Sequence, residues 1–300
     1  MRTVWRLALA AAIVAYGGVI IGSWVRITGA GMSCPDWPLC HGSLLPSIAG
    51  GTLWEWSHRL VALFETPLVV TLVVMAWPLR KKLRPVAPML GVVVALFILQ
   101  VFLGAATVRL ANAPLSVVLH WGTAMAFLGA LVALTIFIRA PGWLEAGSPS
   151  THRALFALLS ATALLAFVTM CVGAYVSSSG AGLACVQLPG CAGEMIVYGS
   201  SQFVQMAHRA VAGICLLTAC ATAAIALRYG SRSVRDTTCA GLALLFAQVL
   251  FGLLNVAWRL PLLMRELHSA TAALAFLTFI AALAMQAMQT SASRLKDVAA

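Results

Sequence analysis

Eight long apolar runs constrain this chain more than any other feature. They extend over Trp5–Val25, Trp56–Pro78, Val86–Leu110, Leu115–Ile138, Ala154–Val176, Phe203–Leu227, Thr237–Ala257 and Leu263–Met288. About 20 apolar residues carry one helix across the hydrocarbon core of a bilayer. Barrel strands are shorter and alternate in polarity, and these runs do neither. Only 9% of the 300 residues are charged and 62% are hydrophobic, whereas a soluble domain carries about 25% charged residues. A water-soluble globule is excluded for want of a polar surface. The expected fold class is an all-α integral membrane protein with eight transmembrane helices. The first run is read as a retained helix, because it exceeds a signal-peptide core and no small-residue cleavage site follows it.

The net charge of +11 comes from 19 basic against 8 acidic side chains. With the N-terminus inside, 13 basic residues, every Lys among them, fall on the inner side. Six fall on the outer side: Arg26, Arg59, Arg109, Arg209, Arg259 and Arg265. Cytoplasmic loops collect Lys and Arg, so both termini are expected in the cytoplasm. The positive charge then anchors the protein to its bilayer, and nucleic acid is not an expected partner.

The chain repeats itself. Gly29-Ala30-Gly31-x-x-Cys34-x5-Cys40 returns as Gly180-Ala181-Gly182-x-x-Cys185-x5-Cys191, at an offset of 151. His58-Arg59 returns as His208-Arg209 at an offset of 150. Gln100-Val101-x-x-Gly104 and His120 return as Gln248-Val249-x-x-Gly252 and His268 at an offset of 148. Four helices per repeat give both halves the same orientation, a parallel repeat about an axis along the membrane normal. The expected organisation is two pseudo-symmetric four-helix bundles, residues 1–140 and 154–300, joined by a cytoplasmic linker at 141–153.

Four of the six histidines, His58, His120, His208 and His268, sit at repeat-matched positions near the outer ends of even-numbered helices. Ionisable groups inside a membrane are costly and tend to be functional, although a lone membrane histidine is more often a hydrogen-bonded interior residue. Tetrahedral zinc takes four ligands, or three plus water. Two imidazoles facing each other across a bundle suit instead the two axial positions of a haem iron. One haem-type pocket per half is expected. The six outer arginines are candidate propionate partners, with interfacial snorkelling as the plain alternative. His41 and His152 fall in loops and are read as solvated.

The halves differ at one position. Glu55 stands one turn before His58, on a shared helix face, and its counterpart is Gln205. A carboxylate can take a proton or stabilise a cation, and an amide cannot; the alternative is an ordinary interfacial charge. Glu65, two turns beyond His58 and just before Pro67, is read as a neutral hydrogen-bonded acid, with a proton path as the alternative. Cys34 with Cys40, and Cys185 with Cys191, are placed to close two outer loops as disulfides, which an oxidising outer face permits. Either a structural staple or a redox couple fits them. Cys171, Cys215, Cys220 and Cys239 read as small buried hydrophobes.

The run Arg26–Gly42, RITGAGMSCPDWPLCHG, followed by Glu55-x-x-His58-Arg59, resembles the haem A synthase family, known in mitochondria as the Cox15-type proteins. The resemblance covers nearly the whole chain. It implies an oxidoreductase that converts the C8 methyl of haem O to a formyl group, giving haem A for terminal oxidases. It implies His58 and His120 as ligands of the substrate haem O, Glu55 as the catalytic carboxylate, and His208 and His268 as ligands of a haem b cofactor. It also implies disulfides in both outer loops. Implied partners are the haem O-forming farnesyltransferase, oxidase assembly factors and an electron acceptor of unstated identity, with the number of copies of the chain left open. The lack of a transit peptide points to a bacterial member in the inner membrane. Two rival functions remain at this stage: a di-haem b-type electron carrier with no chemistry of its own, and a transporter built on the parallel repeat.

Overall fold

The computed structural model describes residues 1–139, 149–187, 190, 191, 194 and 199–299; side chains are described outside 149–152 and 290–299. Eight helices are long and apolar enough to cross a membrane. They are α1 (Arg2–Ile27), α2 (Gly51–Ala76), α3 (Val86–Arg109), α4 (Pro114–Arg139), α5 (Pro149–Ser178), α6 (Ser200–Tyr229), α7 (Arg232–Ala257) and α8 (Leu262–Ala299). The chain is an all-α, multi-pass membrane protein. Its described residues contain only isolated bridges, Cys40 to Ser43 and Cys191 to Glu194.

Each expected run has its helix; α2, α5 and α7 each start five residues earlier than expected, and α8 runs eleven residues past Met288. Glu55 is paired with Arg59 one turn on, so this acid needs no water and does not mark a helix end. Of the expected linker at 141–153, residues 141–148 lie outside the described residues and 149–153 open α5.

Helix α1 packs on α2 and α4, and α3 on α4; α5 packs on α6 and α8, and α7 on α8. Contacts between these groups run through α4 with α5 and α8, and through α1 with α8. Helix α4 is therefore central. Met125, Leu128, Leu131, Leu134 and Ile138 along it are all at most 1% exposed. Lipid is as apolar as leucine, so close backbone approach and buried polar pairs hold such helices together. Gly129 illustrates the first: a Cβ there would stand 3.3 Å from the Phe276 ring of α8. The Thr162 and Thr222 hydroxyls, 2.8 Å apart between α5 and α6, illustrate the second. The Ser23 hydroxyl donates to that of Ser269 at 2.9 Å, and the Tyr16 hydroxyl to the Ala270 carbonyl, tying α1 to α8. Of the four helical cysteines only Cys215 is buried; Cys171, Cys220 and Cys239 are half-buried, and all four are free thiols.

Candidate functional site

Two disulfide-closed loops stand over the N-terminal ends of α2 and α6. Gly29 and Gly180, at φ +75° and +74°, turn the chain sharply out of α1 and α5, a left-handed step that glycine takes without steric cost. Cys34–Cys40 and Cys185–Cys191 then close the loops. The carbonyls inside such tight loops need donors, and arginine brings five in a fixed fork. Arg59 donates to the carbonyls of Asp36 (2.6 Å), Leu39 (2.6 Å) and Cys34 (2.9 Å). Arg209 does the same for Gln187 (2.8 Å), Gly190 (3.0 Å) and Cys185 (2.5 Å). Four residues before each arginine, a second side chain fixes the loop's first cysteine. Glu55, 4% exposed, accepts from the Cys34 amide at 2.8 Å and from Arg59 at 2.7 Å. Gln205 accepts from the Cys185 amide at 2.5 Å and donates to the Gly182 carbonyl at 2.8 Å.

In the first loop Asp36 accepts from the amides of His41 (2.6 Å) and Gly42 (2.7 Å). These bonds, Gly42's foremost, hold its carboxyl below the ordinary aspartate range. His41 does more than face water: its ring contacts the Ser33 carbonyl at 2.9 Å. The α3–α4 turn braces this loop through Asn112, whose amide donates to the Gly31 carbonyl at 2.9 Å. At the equivalent α7–α8 turn, Leu260 packs against Gly182. Ala111 and Asn112 share with Arg259 and Leu260 a pair of left-handed, non-glycine conformations. Few residues adopt that conformation, and here it recurs at the repeat offset.

All four repeat-matched histidines lie in the first two or three turns of α2, α4, α6 and α8, at the same end as the loops. His58 and His120 face each other with ring centres 6.4 Å apart and planes at 88°. His208 and His268 likewise lie close enough to interact. The Nδ1 atoms of all four are buried without a hydrogen-bond partner among the described residues. The side-chain amide of Gln100 stands 3.4 Å from His120 Nε2. No three His, Cys, Asp or Glu gather as a metal cluster among the described residues, so the candidate donor set is a facing pair of imidazoles. With metal–imidazole bonds of about 2 Å, two rings on opposite sides of one iron have centres about 6 Å apart. The His58–His120 spacing fits a haem iron held by both.

The sequence model of the COX15-CtaA family, described as cytochrome oxidase assembly protein, matches residues 5–50 and 47–280. The chain belongs to this family. It is 28% identical over 279 residues to the heme A synthase of Staphylococcus carnosus, covering 91% of this chain and 90% of that protein. It is 32% identical over 219 residues to that of Alkalihalophilus pseudofirmus, covering 71% and 73%. With the Bacillus licheniformis heme A synthase the figures are 30% over 203 residues, 65% and 66%.

Within this COX15-CtaA protein the six expected arginines divide into three groups. Arg59 and Arg209 clamp the loops. Arg26 bonds to the Ser177 hydroxyl across the α1–α5 boundary and lies near Arg265 and Glu266; Arg265 donates to the Ile27 carbonyl at 3.0 Å. Arg109 and Arg259 are exposed. Glu65 is buried, with neither oxygen hydrogen-bonded among the described residues. Among the described residues it has no partner for the hydrogen bond that was expected of it. Glu266 is the residue that sequence reasoning missed. Both its oxygens are buried, beside the Ser23 hydroxyl and the Arg26–Arg265 pair. An acid two positions before a repeat-matched histidine, in a membrane span, was the available signal.

Proposed function

We propose that the protein is a haem A synthase, an oxidoreductase that converts the C8 methyl group of haem O to a formyl group for terminal oxidases. The reading rests on one observation above the family match: a pair of histidines lies beneath each disulfide loop, and only one of the two loops is anchored by a carboxylate. In this reading the 1–140 half takes haem O between His58 and His120. The 154–300 half holds haem b between His208 and His268. Of the outer arginines, Arg26, Arg109, Arg259 and Arg265 are left by their contacts better able to meet propionates than Arg59 and Arg209. The basic-residue asymmetry supports a cytoplasmic location for both termini, with the loops and histidines toward the outer face of a bacterial inner membrane.

With water as the oxygen source, R–CH3 and H2O give R–CHO and release four electrons and four protons, which an external electron acceptor must take; with dioxygen, R–CH3 and O2 give R–CHO and water. Haem b, when bound, supplies one-electron chemistry. Glu55 supplies a carboxylate at the loop end of the His58 helix, able to accept a proton or to stabilise positive charge on the reacting carbon. The Cys34–Cys40 loop, held by Arg59 and Asn112, covers that end and limits access of water. The haem O-forming farnesyltransferase and oxidase assembly factors are the natural neighbours for a substrate and product this insoluble.

One observation favours the rival di-haem carrier: both Glu55 oxygens already hold hydrogen bonds within the loop anchor. Expression in a host that makes haem O but no haem A decides between them. Acid–acetone extraction of the purified protein should yield haem B together with haem O, a hydroxylated intermediate or haem A. Haem B alone would establish the carrier, and absence of haem would refute both.

A further inference from the structure

Each of the four histidine rings lies against a glycine of the neighbouring helix. A Cβ on Gly22 of α1 would stand 2.7 Å from His58 Cε1, and one on Gly173 of α5 would stand 2.9 Å from His208 Cε1. On α3 and α7, a Cβ at Gly104 or Gly252 would stand 3.2 Å from Cε1 of His120 or His268. Separations under about 3.0 Å force something to move, and here that is a ring wedged in a close-packed interior. The edge of the ring facing the glycine is the same each time. Cε1 is nearest and Nδ1 next, at 3.2 Å for His58, 3.8 Å for His120, 3.3 Å for His208 and 3.7 Å for His268. Beside each ring lies a backbone carbonyl one turn earlier on the glycine's helix: Gly18, Gln100, Thr169 and Gln248 respectively.

We propose that Gly22, Gly104, Gly173 and Gly252 are positioning residues. By omitting a side chain they let each imidazole lay its Cε1–Nδ1 edge against the neighbouring helix, where a carbonyl lies one turn back, which leaves Nε2 for an iron. A histidine that ligates a metal ordinarily gives its other N–H to such an acceptor, which fixes tautomer and ring plane. The glycines therefore set ring rotation, not merely helix spacing. Other glycines in the same spans make no such contact: an added Cβ at Gly17, Gly91 or Gly213 meets nothing within 4 Å.

This inference rests on the two-haem reading above, and its test separates the two. Full-length wild type and the variants Gly22→Ala, Gly173→Ala, Gly17→Ala and Gly213→Ala are purified from membranes of a haem O-producing host. Bound haems are extracted and counted, and low-spin ferric signals are recorded by electron paramagnetic resonance. Gly22→Ala should lose its own site's haem O or A and keep haem B. Gly173→Ala should do the reverse, so that each falls from two haems per chain to about one. Gly17→Ala and Gly213→Ala should keep both haems with unshifted signals. Full loading with unshifted signals in Gly22→Ala and Gly173→Ala overturns the proposal, as does equal loss in the Gly17 and Gly213 variants. Where the tighter pair fails to accumulate, Gly104→Ala and Gly252→Ala carry the test. Their methyl needs only a few tenths of an ångström, so both haems should stay while the low-spin signal shifts; an unshifted signal overturns the proposal. A wild type without haem overturns the function itself.

Discussion

Glu55→Gln separates the two things Glu55 can do, and the structure supplies its own control. Glu55 accepts from the Cys34 amide at 2.8 Å and from Arg59 at 2.7 Å. A glutamine keeps the first bond through its carbonyl oxygen and loses the second, a charge-assisted bond whose loss costs about 1.5–3 kcal/mol. Its new N–H groups have an acceptor, because Gln205 donates to the Gly182 carbonyl and Gly31 holds the equivalent place. Regaining that bond returns about 1 kcal/mol. Arg59 still holds three loop carbonyls. The variant should therefore be about 0.5–2 kcal/mol less stable, with its disulfide and haem content intact. If the carboxylate moves a proton, haem A formation should fall by about 10²–10⁴-fold. The assay is expression in cells lacking their own enzyme, with haem A and haem B quantified after extraction and loop integrity followed by thiol alkylation and thermal melting. A normal haem A yield would refute the chemical role and leave Glu55 a loop anchor like Gln205. Failure of the variant to fold would refute the claim that an amide holds this loop as well as a carboxylate does.

Three further outcomes follow from the same geometry. Replacing Cys34 and Cys40 together by Ser removes a seven-residue closure worth about 2 kcal/mol, but Glu55, Arg59 and Asn112 still hold the loop. A staple predicts a lower melting temperature with haem A formation preserved, whereas loss of activity at unchanged melting temperature would mark a redox role. Asp36, held below the ordinary value of 3.8 by the Gly42 and His41 amides, contributes stability that is present above that value and lost as pH falls through its lower folded value. Reduction of Cys34–Cys40 by a phosphine should accelerate only in that acid window, and in Asp36→Asn it should be fast already at pH 7; equal rates at pH 7 would rule out the anchoring role. Gln205→Glu places a carboxylate where Arg209 can meet it, so it should fold, keep haem B and leave haem A yield unchanged. A large gain or loss of haem A would show that the second half takes part in the chemistry.

The helices were legible because spanning a bilayer leaves its mark on every residue of a run, and the histidines because they recur in order at nearly one offset. The boundary of α2 was not, since Glu55 looks like a helix-end charge until Arg59 is seen to neutralise it one turn on. The positions of the arginines were legible, but their partners were not: Arg59 and Arg209 reach carbonyls some twenty residues away, and backbone carbonyls carry no sequence signature. The glycine cradles lay between these cases. Gly104 and Gly252 stood out beside the repeated glutamines, whereas Gly22 and Gly173 were hidden among other glycines of apolar helices, where the residue is common. Repetition also separates the needs of the fold from those of a reaction. Whatever both loops require appears twice: a disulfide, an arginine clamp, an acceptor for the first cysteine's amide. Gln205 meets the last need without charge, so the charge on Glu55 exceeds what anchoring a loop demands. A buried charge is expensive, and one that folding does not require is the place to look for chemistry.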